Sequence, residues 1–229
     1  MDRLSKIFNC IPPSHVVADI GCDHGNLEAM LLNEKKADRV IATDISEKSL
    51  AKAVALCESL GISHKADFRQ GDGLSVLSPG EADTIVIAGV GGNLISEILS
   101  EGQEVARQSY LVLCPHTHEG VLRKFLFGSG YHITQECLSL EEGRYYQIIC
   151  ARYDGQRNAE TDDFYCEIGR KLLNSGDGLL EGFLRYKIRI ARGIIKNAGK
   201  SDGTEAKNLV LSLSGFVQRL EDSLKCLHP

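Results

Sequence analysis

Three aspartates occupy equivalent places in the first third of the chain, each at or just after the end of a short strand-like run. Asp19 lies in the run 16–20, Asp44 follows the run 39–43, and Asp72 follows the run 66–70. The carboxyl ends of parallel strands meet at one edge of a sheet, where α/β proteins bind ligands. Carboxylates accept hydrogen bonds from hydroxyl, amino and ammonium groups. The spacing therefore predicts a site for a ligand that offers several such donors.

The loop after the first run narrows the choice of ligand. It contains Gly21, which lets the backbone approach a ligand closely, and Asp23, but it lacks the G-x-G-x-x-G pattern of dinucleotide sites. A carboxylate at Asp23 repels a pyrophosphate but suits a cofactor that carries an ammonium and a sulfonium. An ordinary strand-to-helix turn of an unrelated α/β protein is the alternative. The charge of this loop favours S-adenosylmethionine over NAD.

The other two aspartates match the nucleoside part of such a cofactor. Asp44 is placed to accept from both ribose hydroxyls, and its alternative role is to serve the dipole of the following helix. Asp72 is placed to accept from the adenine amino group while the next backbone N–H donates to the ring, and a solvated turn is its alternative. The residues assigned to the cofactor are Asp19, Gly21, Asp23, Asp44, Ile45, Asp72, Gly73 and Gly89.

The apolar runs 84–88 and 110–114 are followed by residues that lie where the methyl group is transferred, and of these Gly91, Pro115 and His116 are assigned to the acceptor. Gly89 and Gly91 follow the first of these runs, where they either allow close approach of an acceptor or simply form a turn. Pro115 and His116 follow the second run, and His116 either hydrogen-bonds the substrate or is a surface histidine. No side chain stands out as a general base, so we predict no catalytic residue.

The elements that position these residues alternate between strands and helices. Amphipathic or capped patterns predict helices near 4–11, 27–32, 46–60, 92–106 and 119–127. The last two strand-like runs, 131–140 and 145–153, predict an antiparallel hairpin, which is typical of methyltransferases rather than dehydrogenases. The predicted fold class is α/β, a Rossmann-like, doubly wound and mostly parallel sheet with an antiparallel closing hairpin.

Beyond a polar linker at 154–158 the pattern becomes helical. Apolar residues recur at helical spacing over 164–172, 184–195 and 209–220, with a reversal predicted at 197–203. We therefore predict a cofactor-binding domain at residues 1–154 and a small, helical, coiled-coil-like domain at residues 155–229. Because no strand is predicted after residue 153, a fragment that ends there is expected to fold alone.

The composition excludes several classes of protein. Of 229 residues, 43% are hydrophobic and 25% are charged, which is typical of a globular protein. No apolar run reaches membrane-spanning length and no signal core follows Met1, so we expect a cytoplasmic protein. Eight cysteines without a C-x-x-C pair predict buried free thiols. His116 and His118 lack a third ligand at metal spacing, so no metal is expected.

The net charge of −5 is unevenly distributed. Residues 1–150 hold 13 Lys/Arg against 20 Asp/Glu, whereas residues 151–229 hold 13 against 11. A stripe of four basic residues recurs at helical spacing in the second part, and only Glu181 lies close enough in sequence to pair with it. This basic stripe consists of Arg185, Arg189, Arg192 and Lys196. A solvated helix face is the ordinary interpretation, but the uncompensated charge favours contact with phosphates.

Taken in order, several short motifs resemble the bacterial tRNA (adenine-22)-N1-methyltransferase family. They lie at residues 19–24, 71–74, 88–92, 113–115, 122–123 and 136–146. The resemblance covers residues 1–153 closely and the rest mainly in its helical character. It implies a Rossmann-like catalytic domain, S-adenosylmethionine as the methyl donor, and N1 of a tRNA adenine as the acceptor. It also implies C-terminal helices that help to hold the tRNA.

A tRNA substrate places demands on the acceptor side of the site. N1 lies on the Watson–Crick edge, so the base must be unpaired or flipped out of its stack. Tyr145 and Tyr146 offer either a stacking surface or ordinary packing. The residues assigned to the substrate are Gly91, Pro115, His116, Tyr145, Arg185, Arg189, Arg192 and Lys196.

Two other functions remain open from the sequence. One is a methyltransferase that acts on a small molecule, and the other is a non-catalytic RNA-binding protein that keeps the fold. Labelled S-adenosylmethionine and bulk tRNA would separate them. The sequence does not determine the oligomeric state, for which a monomer is the expectation.

Overall fold

The computed structural model describes residues 2–157, 160, 162–201 and 203–227. The strands are β1 (Ser14–Ile20), β2 (Ala37–Asp44), β3 (Ala66–Gln70), β4 (Thr84–Ala88), β5 (Tyr110–Cys114), β6 (Tyr131–Glu141) and β7 (Arg144–Tyr153). The helices of the first part are α1 (Arg3–Cys10), α2 (Asn26–Asn33), α3 (Glu47–Ser59), α4 (Gly92–Glu101), α5 (Gln103–Ala106) and α6 (Glu119–Gly128). The later helices are α7 (Asp163–Ile168), α8 (Arg170–Leu173), α9 (Leu180–Ala198) and α10 (Thr204–Leu227).

The strands form one sheet in the order β3-β2-β1-β4-β5-β7-β6. Strands β1 to β5 pair in parallel, with Ala18 of β1 opposite Ile41 of β2 and Ile85 of β4. Strand β7 is antiparallel to both β5 and β6 and closes the sheet. The strand order reverses at β1 and β4, where ligands of such sheets bind. This topology confirms the predicted fold class.

Helices cover both faces of the sheet, which explains why β4 is apolar along its length. Ile85 and Ile87 pack into a core cluster with residues of α4, α5 and α6, whereas Val86 packs into a second cluster with residues of α1 and α2. Successive side chains of a strand point to opposite faces, so a strand buried on both sides is apolar at every position. The strand ends that carry the aspartates are therefore held by a rigid scaffold.

Two of the predicted helical stretches are interrupted by a glycine. The helix predicted over 92–106 is α4 followed by α5, and Gly102 lies at the break, where a Cβ would lie 2.4 Å from the Cβ of Leu74. The face predicted over 164–172 is divided between α7 and α8 at Gly169, which has a φ of +88° and packs against Glu136. Both interruptions arise from tertiary contacts, which periodicity along the chain does not reveal.

A buried ion pair joins the sheet to the helices that follow the linker. Arg123 Nε on α6 donates to Glu136 Oε1 on β6 at 2.6 Å, and both side chains are buried. The other guanidinium nitrogens donate to the carbonyl of Cys166 and to Gln147 Oε1, each at 2.7 Å. The backbone N–H of Leu172 donates to the second oxygen of Glu136 at 3.0 Å. Helices α7 and α8 thus pack as part of the sheet domain, and independent folding without them stays a prediction.

Helices α9 and α10 form the predicted hairpin. Their apolar faces share one core cluster with residues of β6, α7 and α8, among them Leu138, Phe164, Leu172, Leu184, Ile188 and Leu220. The predicted linker is described as far as Arg157, and Asn158 lies outside the described residues. The predicted reversal between the helices is also observed, apart from Asp202, which is not described.

The remaining sequence predictions concern thiols, membranes and metals. All eight cysteines are free, and all but Cys137 and Cys226 are buried. Cys137 is half-buried and Cys226 is exposed, so burial was predicted correctly for six of the eight. Across the described ranges, every helix is too short or too polar to cross a membrane. The same ranges contain no cluster of three or more side chains suited to binding a metal ion.

Candidate cofactor and acceptor site

A cleft of about 730 Å³ opens at the carboxyl ends of β1, β2 and β4. Helix α1 forms part of its wall through Arg3, Leu4 and Ile7. All eight residues that the sequence assigned to a cofactor line this cleft, namely Asp19, Gly21, Asp23, Asp44, Ile45, Asp72, Gly73 and Gly89. The structure therefore brings the predicted set together, while the contact of each residue with a cofactor stays a prediction.

Backbone N–H groups hold the Asp44 carboxylate at the end of β2. Ser46 N donates to one oxygen at 2.8 Å, and Asp23 N lies 3.4 Å from the other. The Asp44 carbonyl accepts from Gly71 N at 3.1 Å, which ties β2 to the loop after β3. Ser46 caps α3 as predicted, since its hydroxyl accepts from Ser49 N. Because Ser46 already caps α3, Asp44 is not needed for that role and its carboxylate can bind a ligand.

The turn after β1 presents open backbone to the cleft. Gly21 N and Cys22 N both donate to the carbonyl of Thr43, at 2.8 and 2.9 Å. Gly21 has a φ of +84°, and a Cβ built there would meet no atom within 4 Å. Asp23 has a φ of +47°, and one of its oxygens lies 2.6 Å from His24 Nδ1. This turn leaves room for a ligand beside a carboxylate.

Two large apolar side chains of the cleft lining are exposed to solvent instead of being packed in the core. Ile45 is 68% exposed and Leu94 is 44% exposed. Gly73 lies on the same wall with a φ of +52°, and Ile98 packs closely beside it. Asp72 is exposed next to this surface. An apolar wall with a carboxylate at its edge suits a flat heterocycle that carries an amino group.

A second group of side chains includes Arg3, His116 and Glu141 of the cleft lining and the residues that contact them. We call it the acceptor rim, and it consists of Arg3, His116, Glu141, Arg144 and Tyr146. Arg3 Nη1 donates to His116 Nε2 at 2.6 Å, and Arg3 Nε lies 3.6 Å from a carboxylate oxygen of Glu141. The guanidinium carbons of Arg3 and Arg144 lie 4.9 and 5.2 Å from the ring centroid of Tyr146. Arg144 also donates to the carbonyl of His116.

These contacts keep His116 neutral. Partial burial lowers the pKa of His116, and the charges of Arg3 and Arg144 lower it further. Since a guanidinium only donates, Nε2 of His116 must be the accepting nitrogen. Sequence reasoning found His116 but missed Arg3, which lies 113 positions away and enters the site only because α1 packs beside β6 and β7.

Three other predicted substrate residues lie outside the cleft lining in the described part of the chain. Pro115 is buried, and Gly91 precedes α4, where a Cβ would lie 3.2 Å from Thr117 Oγ1. Tyr145 packs against Phe183 and Tyr186 of α9, with ring centroids 5.7 and 5.3 Å apart. Packing is therefore the role that Tyr145 shows, and Tyr146 is the tyrosine at the acceptor rim.

The basic stripe lies on α9 with all four side chains exposed. Arg185 pairs with Glu181 at 2.9 Å, as its spacing predicts. The expectation that only Glu181 can compensate the stripe is wrong, because Arg192 pairs at 2.6 Å with Glu221 on α10. That partner is 29 positions away in sequence and is brought close by the helical hairpin.

The charge of the cleft tests whether the predicted cofactor fits. Its lining holds five carboxylates against a single arginine, Arg3; the carboxylates belong to Asp19, Asp23, Asp44, Asp72 and Glu141. Such a wall repels the pyrophosphate of a dinucleotide. It fits a nucleoside that carries an ammonium and a sulfonium and offers hydroxyl and amino donors. The donor set of S-adenosylmethionine therefore matches the residues present.

Comparisons with known proteins agree with this fit. A family model described as a methyltransferase domain matches residues 1–149. The tRNA (adenine(22)-N(1))-methyltransferase of Bacillus subtilis strain 168 is 35% identical over 168 residues, which span 73% of this chain and 70% of that protein. The crystal structure of the Bacillus subtilis enzyme has a TM-score of 0.84 at 28% identity and covers 97% of both chains.

A Streptococcus pneumoniae structure in complex with S-adenosyl-L-methionine shares the fold. It has a TM-score of 0.83 at 24% identity and covers 98% of this chain and 100% of its own. Topology and matches together define the class: the chain is a methyltransferase of Rossmann-like fold. Within that class it belongs to the tRNA (adenine(22)-N(1))-methyltransferase family, which the sequence motifs predicted.

Proposed function

We propose that this chain methylates N1 of adenine 22 in tRNA and that the cleft at the ends of β1, β2 and β4 is its active site. The observation that supports this most is the cleft itself, because one wall offers carboxylates and apolar surface while the other offers stacked aromatic and cationic groups. The first wall suits the cofactor and the second suits a nucleobase with its phosphates. We expect the protein to act in the cytoplasm as a monomer.

We assign the cofactor-side residues by the donors that each can satisfy. The exposed Asp72 and the apolar Ile45 suit the adenine, Asp44 suits the ribose hydroxyls, and Asp19 suits the ammonium. When bound, S-adenosylmethionine supplies an electrophilic methyl group. The protein's part is to hold the acceptor in line with that group, because adenine N1 carries its own lone pair and needs positioning more than a strong base.

The acceptor rim supplies that positioning. Tyr146 presents a ring flanked by Arg3 and Arg144, and such surfaces stack on unpaired bases. His116 is held as a neutral side chain within the rim, so it adds no further positive charge beside Arg3 and Arg144 when the methylated adenine becomes cationic. We therefore assign the stacking role to Tyr146 instead of Tyr145, the tyrosine that was assigned to the substrate from the sequence.

The proposed function is tested by the product. The purified chain is incubated with labelled S-adenosylmethionine and a tRNA transcript, and the transcript is digested to nucleosides. We expect labelled N1-methyladenosine from the transcript with adenine 22 and none from an otherwise identical transcript with guanine there. Label in both transcripts would contradict the proposed position, and label in neither would contradict the proposed substrate.

Replacing Asp44 tests the cofactor wall. We expect Asp44→Ala to weaken cofactor binding by about 1.5–3 kcal/mol, the value of hydrogen bonds to a charged acceptor. Isothermal titration calorimetry with S-adenosylhomocysteine measures the change. Asp38→Ala is the matched control, because Asp38 is an exposed aspartate near the other end of the same strand. Equal affinities of both variants would remove Asp44 from the site.

Reversing charge in the basic stripe tests the tRNA contact. Arg189 and Lys196 are the two members for which no ion pair within the described residues is observed. If they contact phosphates, Arg189→Glu with Lys196→Glu should weaken tRNA binding and lower the slope of log affinity against log salt by about 0.7–0.9 per contact. Methylation should slow at limiting tRNA and recover largely at saturation, because this binding is common to ground and transition states.

The control for this variant changes the net charge equally at another place. Lys48→Glu with Lys65→Glu alters two exposed lysines of the sheet domain. We expect this control to change tRNA affinity much less, and both variants to keep cofactor affinity, since the sites are well separated. A stripe variant with unchanged salt dependence and unchanged affinity would identify the stripe as a solvated helix face.

A further inference from the structure

Glu28 is a carboxylic acid in the core of the protein. It lies in the first turn of α2, its exposure is 0%, and its neighbours Leu27, Ala29 and Leu31 are buried. Neither of its side-chain oxygens has a hydrogen-bond donor in the described part of the chain. An isolated buried carboxylate is very costly, so such a group becomes neutral or finds a partner.

The titratable groups that face Glu28 are all acidic or thiol. They are Asp19 at the end of β1, Cys22 in the turn, and Cys57 on α3, with Asp44 acting on Asp19 from β2. Asp19 is 8% exposed and lines the cleft. Within the described residues, neither carboxyl group forms an ion pair with a cation. Two carboxyl groups so placed cannot both be charged and instead share a proton.

The physical causes indicate where that proton resides. Burial raises the pKa of Glu28 well above its usual value, and the charge of Asp19 raises it further. Burial also raises the pKa of Asp19 to about 7, with a smaller contribution from the charge of Asp44, while the neighbouring carboxyl group of Glu28 acts in the opposite direction. At neutral pH the proton therefore stays on Glu28. In its protonated form, the Glu28 carboxyl group carries an O–H that can donate a hydrogen bond, and the neighbouring Asp19 carboxylate can accept it.

We propose that Glu28 is a positioning residue of the cofactor site: it stays protonated, donates to the Asp19 carboxylate, and holds that carboxylate ionised and oriented towards the ammonium of the cofactor. The inference rests on the proposed assignment of Asp19 to that ammonium. The pair carries one proton and one negative charge, which matches one ammonium. No covalent bond is broken when the ligand binds, and a proton is released only from the fraction of Asp19 that is protonated beforehand.

This role explains why an acid occupies a place that would suit leucine. Without the donor, a desolvated Asp19 becomes neutral at a higher pH and cannot attract a cation. In the native protein, the ionised form of Asp19 is lost as the pH falls through about 7. Cofactor affinity should therefore decrease on acidification over that range, while the charge of the ammonium itself does not decrease.

The test compares Glu28→Gln, which keeps a neutral donor of the same shape, with Glu28→Leu, which removes it. Binding of S-adenosylhomocysteine is measured by calorimetry on the full chain across the pH range around neutrality. Glu28→Gln should bind within about threefold of the native chain with a similar pH profile. Glu28→Leu should bind about fivefold more weakly at pH 7 and about tenfold more weakly at lower pH, because the pKa of Asp19 rises by about one pH unit without the donor.

Two further measurements make the outcomes decisive. Thermal unfolding should show Glu28→Leu folded, since replacing a buried acid by an apolar side chain is often neutral or stabilising. Infrared spectra of the ligand-free chain, taken at a pH above the range in which Asp19 titrates, should contain a protonated-carboxyl C=O band that is absent in Glu28→Gln. This band tests the pair even if Glu28→Leu does not fold or the chain binds no cofactor, so failure of the cofactor assignment is distinguishable.

Three results would overturn the inference. Glu28→Leu with the native affinity and pH profile would show that Asp19 needs no donor. Glu28→Gln with a loss as large as that of Glu28→Leu would show that Glu28 acts as an anion. An infrared spectrum without the acid band would show that the pair does not hold a proton.

Discussion

Arg123→Met is expected to destabilise the whole chain by about 3–5 kcal/mol, the usual cost of leaving one partner of a buried ion pair alone. The substitution removes the guanidinium from Glu136, which is buried and, among the residues that the structure describes, keeps the N–H of Leu172 as its hydrogen-bond donor. It also takes the donor from Gln147 and from the Cys166 carbonyl. A loss of this size is a large part of a typical domain's stability of about 5–15 kcal/mol. Urea unfolding of the full chain measures it.

The adjacent residue on the same helix provides the control. Lys124 pairs with Asp163 at 2.6 Å on the surface. Surface pairs of this kind contribute little, so Lys124→Met should leave the unfolding midpoint nearly unchanged. Adding Glu136→Leu to Arg123→Met should recover part of the stability, because the uncompensated charge is removed. Equal stability of Arg123→Met and the native chain would contradict a structural role for this pair.

The same network bears on how the chain divides into domains. Two of its members, Cys166 and Leu172, lie beyond the linker and contact Arg123 and Glu136 through backbone groups. A fragment that ends at residue 153 keeps the ion pair but loses both backbone partners. We therefore expect such a fragment to be less stable than the full chain. Cooperative unfolding of the fragment would show that it nevertheless folds alone.

The cofactor side of the site was predictable because it depends on local patterns. An apolar run followed by an aspartate defines a strand and its carboxyl end, and parallel pairing then brings the ends together. Asp19, Asp44 and Asp72 were found in this way, and all three line the cleft. The burial of β4 on both faces was likewise predictable, because its sequence is apolar at every position.

The acceptor side was less predictable because its contacts join distant parts of the chain. Arg3 reaches His116 and Tyr146 only through the packing of α1 against the closing hairpin. The pairing of Arg192 with Glu221 depends in the same way on how α9 meets α10. Neither contact has a periodic signature, since each depends on the relative placement of two whole elements.

Gly89→Leu is expected to abolish most of the methyl transfer while leaving the chain folded. Gly89 follows β4, lines the cleft that also holds Asp19 and His116, and has a φ of +85°. A Cβ built there meets no atom within 4 Å, so a larger side chain projects into free space instead of into the core. Because a displacement of about 1 Å at the reacting groups can cost about 100-fold in rate, we expect a loss of at least that size.

Backbone strain must be separated from this steric effect, and Gly61 provides the matched control. It is exposed at the end of α3 with a φ of +70°, and a Cβ there also meets no atom within 4 Å. Gly61→Leu and Gly89→Leu should each lose about 1–2 kcal/mol of stability, the cost of a left-handed conformation for a side chain with a Cβ. Only Gly89→Leu should lose methylation, measured with saturating tRNA and S-adenosylmethionine. Equal rates in the two variants would show that the space beside Gly89 is not where donor and acceptor meet.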